Sequence, residues 1–296
     1  MDDARQGSRE GEGMMKRMKL LAMTCCCVDV FVNTGELLPG GNALNICADW
    51  AIQKGTILKG TNPASHEVEI RLLGALGNDA YGIAIRNSIA TLGIDTSHLH
   101  TIEDVTANHR ICIDASGDRY FEPNAWTGGA YESFRISTED ESLIRESDVA
   151  AITFNDPNLQ QVLSLRRSSD FQLAVDFQDA WKPAEWEGWL PAIDVFFISG
   201  TPEKEAVLAT WSTQYPEKVF IATLGASGSV LYRNGQQYQQ QAIPVADVVD
   251  TTGCGDAWLA AYLMASGAGS SVPEAMRAGA EAAAVVLGHV GGFKMP

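Results

Sequence analysis

The sequence predicts an α/β fold built on a largely parallel sheet covered on both faces, with a small second sheet projecting from it. Three observations carry that expectation. Apolar strand-like runs alternate with helical patterns along most of the chain. Two segments break the alternation and read as hairpins. Near the end, Asp250-Thr251-Thr252-Gly253-Cys254-Gly255-Asp256 runs straight into the apolar pattern Ala257-Trp258-Leu259-Ala260-Ala261-Tyr262-Leu263, so that a glycine-rich turn opens a helix.

The elements follow in order. Residues 1–17, MDDARQGSREGEGMMKR, lack the apolar stretch of a signal peptide and read as a disordered extension, with Met14, Met15 or Met18 as alternative starts. Strands are expected over residues 20–28, 67–76, 149–154, 172–177, 195–199 and 219–224, where apolar and β-branched residues run together. Helices are expected over 43–53, 81–92, 159–166, 203–213, 255–266 and 273–287, where apolar positions recur at helical spacing. The hairpins span 106–122, turning at Ser116-Gly117-Asp118, and 230–245, turning at Asn234-Gly235. The first of them, with residues 29–37, supplies the small projecting sheet. No repeat and no linker divides the chain.

Composition narrows the function. Apolar residues make up 46% and charged residues 20% of the 296-residue chain, as in an ordinary globular protein with a sizeable core. The net charge of −16 argues against nucleic acid or an anionic membrane as partner, since either requires a basic face. A phosphate ligand would therefore be held by local donors against the overall field. The six cysteines, Cys25, Cys26, Cys27, Cys47, Cys112 and Cys254, show no CxxC spacing and suit reduced thiols in a cytoplasm. No apolar run reaches the roughly 18 residues of a membrane span.

The glycine-rich turn carries the chemistry. Its glycines let several N–H groups point at one spot, with the positive end of a helix dipole behind them, which attracts an anion. Asp256 in the same turn is either a first-turn acid of the helix or a base beside an anion hole. The second reading fits phosphoryl transfer to an alcohol, in which a hydroxyl loses its proton while fixed donors hold the transferred charge. Gly40-Gly41-Asn42-Ala43-Leu44-Asn45 precedes a helix, and its asparagines either bind vicinal hydroxyls or cap a plain turn. Gly74 to Gly82 reads as strand end, turn and helix start, with Asp79 as a cap. Thr223-Leu224-Gly225-Ala226-Ser227-Gly228 is a strand end that either admits a nucleotide or turns a tight hairpin.

Taken together, GGNALN, GALGNDAYG, TLGASG and DTTGCGD, in this order over residues 19–292, resemble the ribokinase/PfkB family of carbohydrate kinases. The last is the specific one, matching the family pattern Asp-Thr-x-Gly-Ala/Cys-Gly-Asp. The sequence contains no GxxxxGK[ST], HExxH or GxSxG. The resemblance implies a ribokinase-like three-layer α/β/α sandwich over residues 19–296, with a small β lid from about residues 29–38 and 104–126, and ATP with Mg2+ as phosphoryl donor. It implies Asp256 as general base and the amides of Gly253, Cys254 and Gly255 as the anion hole. Asp29, Gly41, Asn42 and Asn45 then match the sugar site, and Thr223, Gly225 and Gly228 the nucleotide site. Asp250 and Thr252 resemble positions that often help hold K+.

Where many relatives carry Asn-x-x-Glu for Mg2+, this chain has Ser199-Gly200-Thr201-Pro202-Glu203-Lys204-Glu205. Glu205 or Glu203 is left for the metal, or both are first-turn acids of a surface helix. Within the family the chain resembles kinases of fructoselysine-type sugar-amine adducts, through Cys27-Val28-Asp29-Val30, GGNALN and Asp176-Phe177-Gln178-Asp179-Ala180-Trp181. An ammonium on such a substrate would suit Asp176 or Asp179, which otherwise cap a strand and a turn. Phe121, Asn124 and Trp126 stand in the lid, either against the sugar or as packing. Fructose, ribose, ketodeoxygluconate or a nucleoside are the alternative acceptors, and a non-catalytic sugar-binding regulator is the alternative outside catalysis. The family often pairs lids, which makes a homodimer the expected assembly.

Overall fold

The computed structural model of the protein describes residues 17–59, 67–114 and 119–294. Residues 1–16 of the expected 1–17 extension and the turn at Ser116-Gly117-Asp118 lie outside them. β1 (Met18–Thr24) shows why the sheet is covered twice: Leu20 and Ala22 point into one apolar cluster, Leu21 and Met23 into another. A strand apolar at every position must bury both faces. β11 (Val195–Ser199) repeats the pattern, with Val195 and Phe197 on one side and Phe196 and Ile198 on the other.

The main sheet has nine strands. From one edge these are β14 (Gln236–Gln240), β13 (Ser229–Arg233), β12 (Val219–Thr223), β11, β10 (Gln172–Asp176), β9 (Val149–Thr153), β1, β4 (Val68–Gly77) and β5 (Leu99–Ile102). All neighbours pair in parallel except the β12–β13 and β13–β14 pairs. One face is covered by α1 (Asn42–Ile57), α2 (Ala80–Ile89), α8 (Cys254–Gly267) and α9 (Val272–Val286). The other carries α3 (Gly129–Ser133), α4 (Thr138–Glu146), α5 (Leu159–Arg166), α6 (Pro183–Trp186) and α7 (Pro202–Gln214). A second sheet joins β3 (Glu36–Gly40), β2 (Cys27–Phe31), β6 (Asn108–Ile113) and β7 (Arg119–Tyr120), with β8 (Trp126–Thr127) also paired to β6. Within the described residues no helix is long and apolar enough to cross a membrane.

The expected strand over residues 20–28 is two strands in two sheets. β1 ends at Thr24 in the main sheet, and β2 begins at Cys27 in the small one. Cys26, Cys27 and Val28 are as buried as the strand before them, so the apolar run continues across the crossover and hides it. The expected hairpin at 230–245 is β13 and β14, with Asn234 and Gly235 both at positive φ, as a two-residue turn of this hand requires. Short α3 and α6, and α4 with its polar first turn, were not expected from periodicity. The capping box of α4, in which Ser137 and Asp140 bond reciprocally, is the local signal that marks its start.

Candidate active site

The order of the strands places a cleft. The chain begins at β1 in mid-sheet, adds β4 and β5 on one side and β9 to β14 on the other. Ligands of open parallel sheets bind beyond the carboxyl ends of the strands at such a reversal. Thr153, Asp176, Ser199 and Thr223 are the last residues of β9, β10, β11 and β12, and all four line a cleft of about 820 Å³. The small sheet forms the opposite wall, contributing Asp29 from β2 and His109 from β6.

Asp256 reaches this cleft from the first turn of α8. Gly253, the residue before the helix, has φ 78°, and a Cβ on it would stand 2.5 Å from Gly292 Cα. Only glycine allows that turn. No side chain caps this end of α8. Its first N–H groups have no intrahelical partner and, with the dipole behind them, suit an anion. Gly253 and Gly255 line the cleft together with Thr251 and Thr252; Cys254 does not, and its thiol faces the Ala283 carbonyl at 3.9 Å.

Two asparagines grip the carboxylate of Asp256. Asn42 Nδ2 donates to Oδ1 at 2.5 Å and Asn45 Nδ2 to Oδ2 at 2.7 Å. Asn42 Nδ2 also donates to Asp176 Oδ2 at 3.0 Å. Asn42 and Asn45 come from the first turn of α1, whose entry is set by Gly41 at φ 95°. A Cβ on Gly41 would lie 2.6 Å from the Cys25 carbonyl oxygen, where the chain crosses between sheets. The Oδ1 atoms of both asparagines are buried without a hydrogen-bond partner, as groups prepared for a ligand hydroxyl would be. Asp29 is also buried, with the Cys27 thiol donating weakly to Oδ1 at 3.6 Å. The contact with Cys25, burial and the Asp29 charge push the Cys27 thiol up.

The remaining expected residues are placed differently. Thr223 lines the cleft, whereas Gly225 and Gly228 turn the tight connection from β12 to β13, closed by Leu224 N donating to Gly228 O at 2.7 Å. Glu203 is exposed in the first turn of α7, and Glu205 accepts from the Tyr232 hydroxyl at 3.3 Å. Neither is among the residues that line the cleft. Asp250 is buried, Oδ1 accepting from Thr252 N (2.9 Å) and Oγ1 (2.8 Å) and Oδ2 from Gly291 N (2.8 Å). That carboxylate braces the turn with both oxygens. Asp79 caps α2 through Gly82 N and also accepts from Thr106.

Several contributors escaped sequence reasoning. Gln178 adopts φ 54° and donates its N–H to Asp176 Oδ1 at 2.8 Å, which swings Asp179 over the cleft. Buried Lys204 fastens this loop, its Nζ donating to the Asp179 and Ser199 carbonyls at 2.8 Å each. In the lid, His109 stacks on Phe121 at 4.1 Å, and Trp126 Nε1 donates to Glu132 at 2.8 Å. Asn124 does not line the cleft.

Asp49, one turn beyond Asn45, is buried with Oδ2 unpartnered and Gln53 donating to Oδ1 at 2.8 Å. Burial, and then the charge of Asp256, push its carboxyl well above the carboxylate range. The unfolded chain ionises Asp49 above about pH 4 while the folded chain keeps it neutral, so this group costs stability as pH rises. Asp49→Asn is therefore expected to melt higher than the parent by about 2 °C or more near pH 8. The advantage should shrink toward zero as the medium approaches about pH 4. Thermal melts across that range check it; a pH-independent gap would contradict the buried neutral acid.

Residues 28–295 match the profile of the pfkB family carbohydrate kinases. The chain is 29% identical over 274 residues to fructoselysine 6-kinase of Shigella flexneri, covering 90% of this chain and 96% of that protein. It is 27% identical to fructosamine kinase FrlD of Bacillus subtilis (strain 168), covering 93% of each. Among solved structures, Arabidopsis thaliana ribokinase complexed with ribose and ATP superposes with TM-score 0.74 at 20% identity, covering 93% of this chain and 94% of that one. Adenosine kinase from Sinorhizobium meliloti gives TM-score 0.76 at 18% identity, covering 95% and 97%. These two likenesses concern the fold.

Proposed function

Since the chain belongs to the pfkB family of carbohydrate kinases, we propose that it transfers the γ-phosphoryl group of ATP to a primary hydroxyl of a fructoselysine-like sugar-amine adduct. As a member it is an enzyme acting on a sugar hydroxyl. The donor, the acceptor and the roles of the residues rest on one observation above all. Asp256 stands in the cleft at an uncapped helix N-terminus, held by two amide donors.

In this reading the acceptor hydroxyl gives its proton to the Asp256 carboxylate as its oxygen bonds to the γ-phosphorus and the bond to the leaving nucleoside diphosphate breaks. The N–H groups at Gly253 and Gly255 face the charge on the transferred group, while that of Cys254 donates to the Thr251 carbonyl at 3.3 Å, and Asn42 and Asn45 keep the carboxylate aimed. Asp29 and the free Oδ1 atoms of the asparagines hold the sugar. Mg2+ arriving with the nucleotide would supply charge neutralisation; no ligand in this chain is assigned to it.

The sugar-amine acceptor is supported by the two relatives named for fructoselysine and fructosamine. It is supported also by charge: Asp29, Glu132, Asp176, Asp179 and Asp256 line the cleft, and none of the described lining residues is lysine or arginine. Such a wall favours an ammonium. Asp29, Glu132 and Asp176 already have protein partners, and Asp179 is exposed at the rim. Asp179→Asn is therefore expected to raise KM for fructoselysine about tenfold, the worth of one charge-assisted contact. KM for fructose and kcat for either sugar should stay unchanged. Steady-state kinetics on both sugars test this, and equal KM changes for the two would refute the ammonium contact.

A homodimer paired through the lid belongs to the same proposal. Val32, Leu37, Tyr120 and Phe121 are large exposed apolar residues on or beside that sheet. Light scattering should give twice the chain mass, and a monomer at micromolar concentration would end the idea.

A further inference from the structure

Far from the chemistry of the cleft, three side chains converge where the edge of the main sheet meets α4. His98 lies in the turn before β5, His100 within β5, and Asp140 in the first turn of α4. His98 Nδ1 stands 2.7 Å and His100 Nε2 2.9 Å from one and the same atom, Asp140 Oδ1. The three ligand atoms all fall within 4.8 Å of one another. His98 stands one residue before the strand that carries His100, and from there both imidazoles reach the same point.

The carboxylate is fixed in advance. The Asp140 side chain has no exposed surface, and its other oxygen accepts from Ser137 N at 2.9 Å and Ser137 Oγ at 2.8 Å. The capping box of α4 thereby aims Oδ1 at the two imidazoles, as an outer shell orients a metal ligand. His100 is steadied by stacking on Phe134 at 5.3 Å. The histidine side chains are 26% and 38% exposed, which leaves an entry path and room for water.

We propose that His98 Nδ1, His100 Nε2 and Asp140 Oδ1 form a site for a divalent transition-metal ion, Zn2+, with water completing its coordination. Two imidazoles and one carboxylate are donors that Zn2+ accepts at about 2.0–2.2 Å. A tetrahedral ion at that range sets its ligands about 3.3 Å apart, so both contacts to Oδ1 open by a few tenths of an ångström. The half-exposed imidazoles can swing that far. Mg2+ and Ca2+ prefer all-oxygen sites and are poor competitors. None of the three residues lines the active cleft, so the ion acts on stability and not on the reaction. Bound there, it ties the edge strand β5 to α4 and stabilises the folded chain by mass action.

Zn2+ titration of the full chain in chelator-free buffer, followed by calorimetry and thermal melting, tests the site against a His98→Gln/His100→Gln variant. The parent is expected to take up one more equivalent of Zn2+ than the variant and to melt higher in its presence. The variant should lose at least about tenfold in affinity for that equivalent and keep kinase turnover. Because thiols also bind Zn2+, Co2+ serves as a spectroscopic probe. Absorption from nitrogen and oxygen ligands without a sulfur-to-metal band supports the site. A sulfur band alone, equal Zn2+ uptake by parent and variant, or no uptake overturns it. If the double variant fails to fold, the Co2+ spectrum of the parent and the single His98→Gln variant decide in the same terms.

Discussion

Asp256→Asn is expected to lower turnover by about 10²–10⁴-fold, the usual cost of losing a positioned general base. The fold should survive the change. In the parent each carboxylate oxygen of Asp256 accepts from an asparagine Nδ2, and an amide at this position would set one –NH2 against another. Asn45 can relieve that clash by turning its amide, because its Oδ1 is buried with no partner and can accept instead. The stability cost should then stay near about 1 kcal/mol, the net worth of one hydrogen bond. Sugar affinity, read as a shift in melting temperature with ligand, should persist. Steady-state rates with a melt alongside decide the matter. Turnover within about threefold of the parent would remove Asp256 from the role of base.

The second large effect separates two glycines of the same turn. Gly253→Ala forces a side chain into the left-handed region and against the backbone of Gly292, at 2.5 Å from Cα and 2.7 Å from O. The conformation alone costs about 1–2 kcal/mol and the collision adds to it, for a total of about 2–4 kcal/mol. The anion-binding turn should distort with it, and turnover should drop by more than about tenfold. Gly255→Ala differs in sign. Its Cβ would meet only Phe197 Cε1 at 3.8 Å, and alanine inside a helix is favoured over glycine by about 1 kcal/mol. That variant should melt as high as the parent or higher, yet turn over more slowly, since the methyl enters the space next to the N–H groups. Chemical denaturation and kinetics of both variants test the pair. Loss of stability in Gly255→Ala, or parent-like stability in Gly253→Ala, would contradict this description of the turn.

These residues also show what the sequence could reveal. The parallel sheet was legible because alternate residues of β1 and β11 feed two cores, leaving continuous apolar runs separated by helical patterns. The small sheet was legible through hairpin patterns, but its junction with the main sheet was not. Cys25-Cys26 breaks the strand without breaking the apolar run. Local chemistry marked the turn at Gly253, and the cleft gathers Asp29, Gly41, Asn42, Asn45, Thr223, Thr252, Gly255 and Asp256 from four stretches of chain.

Partnerships across the fold left no local trace. The bonds from Asn42 and Asn45 to Asp256 span sequence separations of 214 and 211 residues, so nothing nearby announces that these amides aim the carboxylate. Lys204 reads as a surface lysine in a charged helical turn, and only the approach of Asp179 and Ser199 makes it a buried clamp. Gly225 and Gly228 turn the connection from β12 to β13 at positive φ, a conformation that a hairpin connection and a nucleotide loop both require, so the sequence could not separate the two. Glu203 and Glu205 look alike in sequence, and the geometry of α7 turns both away from the cleft.

The most direct test is phosphorus NMR of the product formed from ATP and fructoselysine by the parent enzyme. A new phosphomonoester resonance, split by two protons of a primary carbon and growing in step with ADP, is the expected result. Orthophosphate released with no phosphorylated sugar, or a phosphate on a secondary carbon, would contradict the reaction proposed for this cleft.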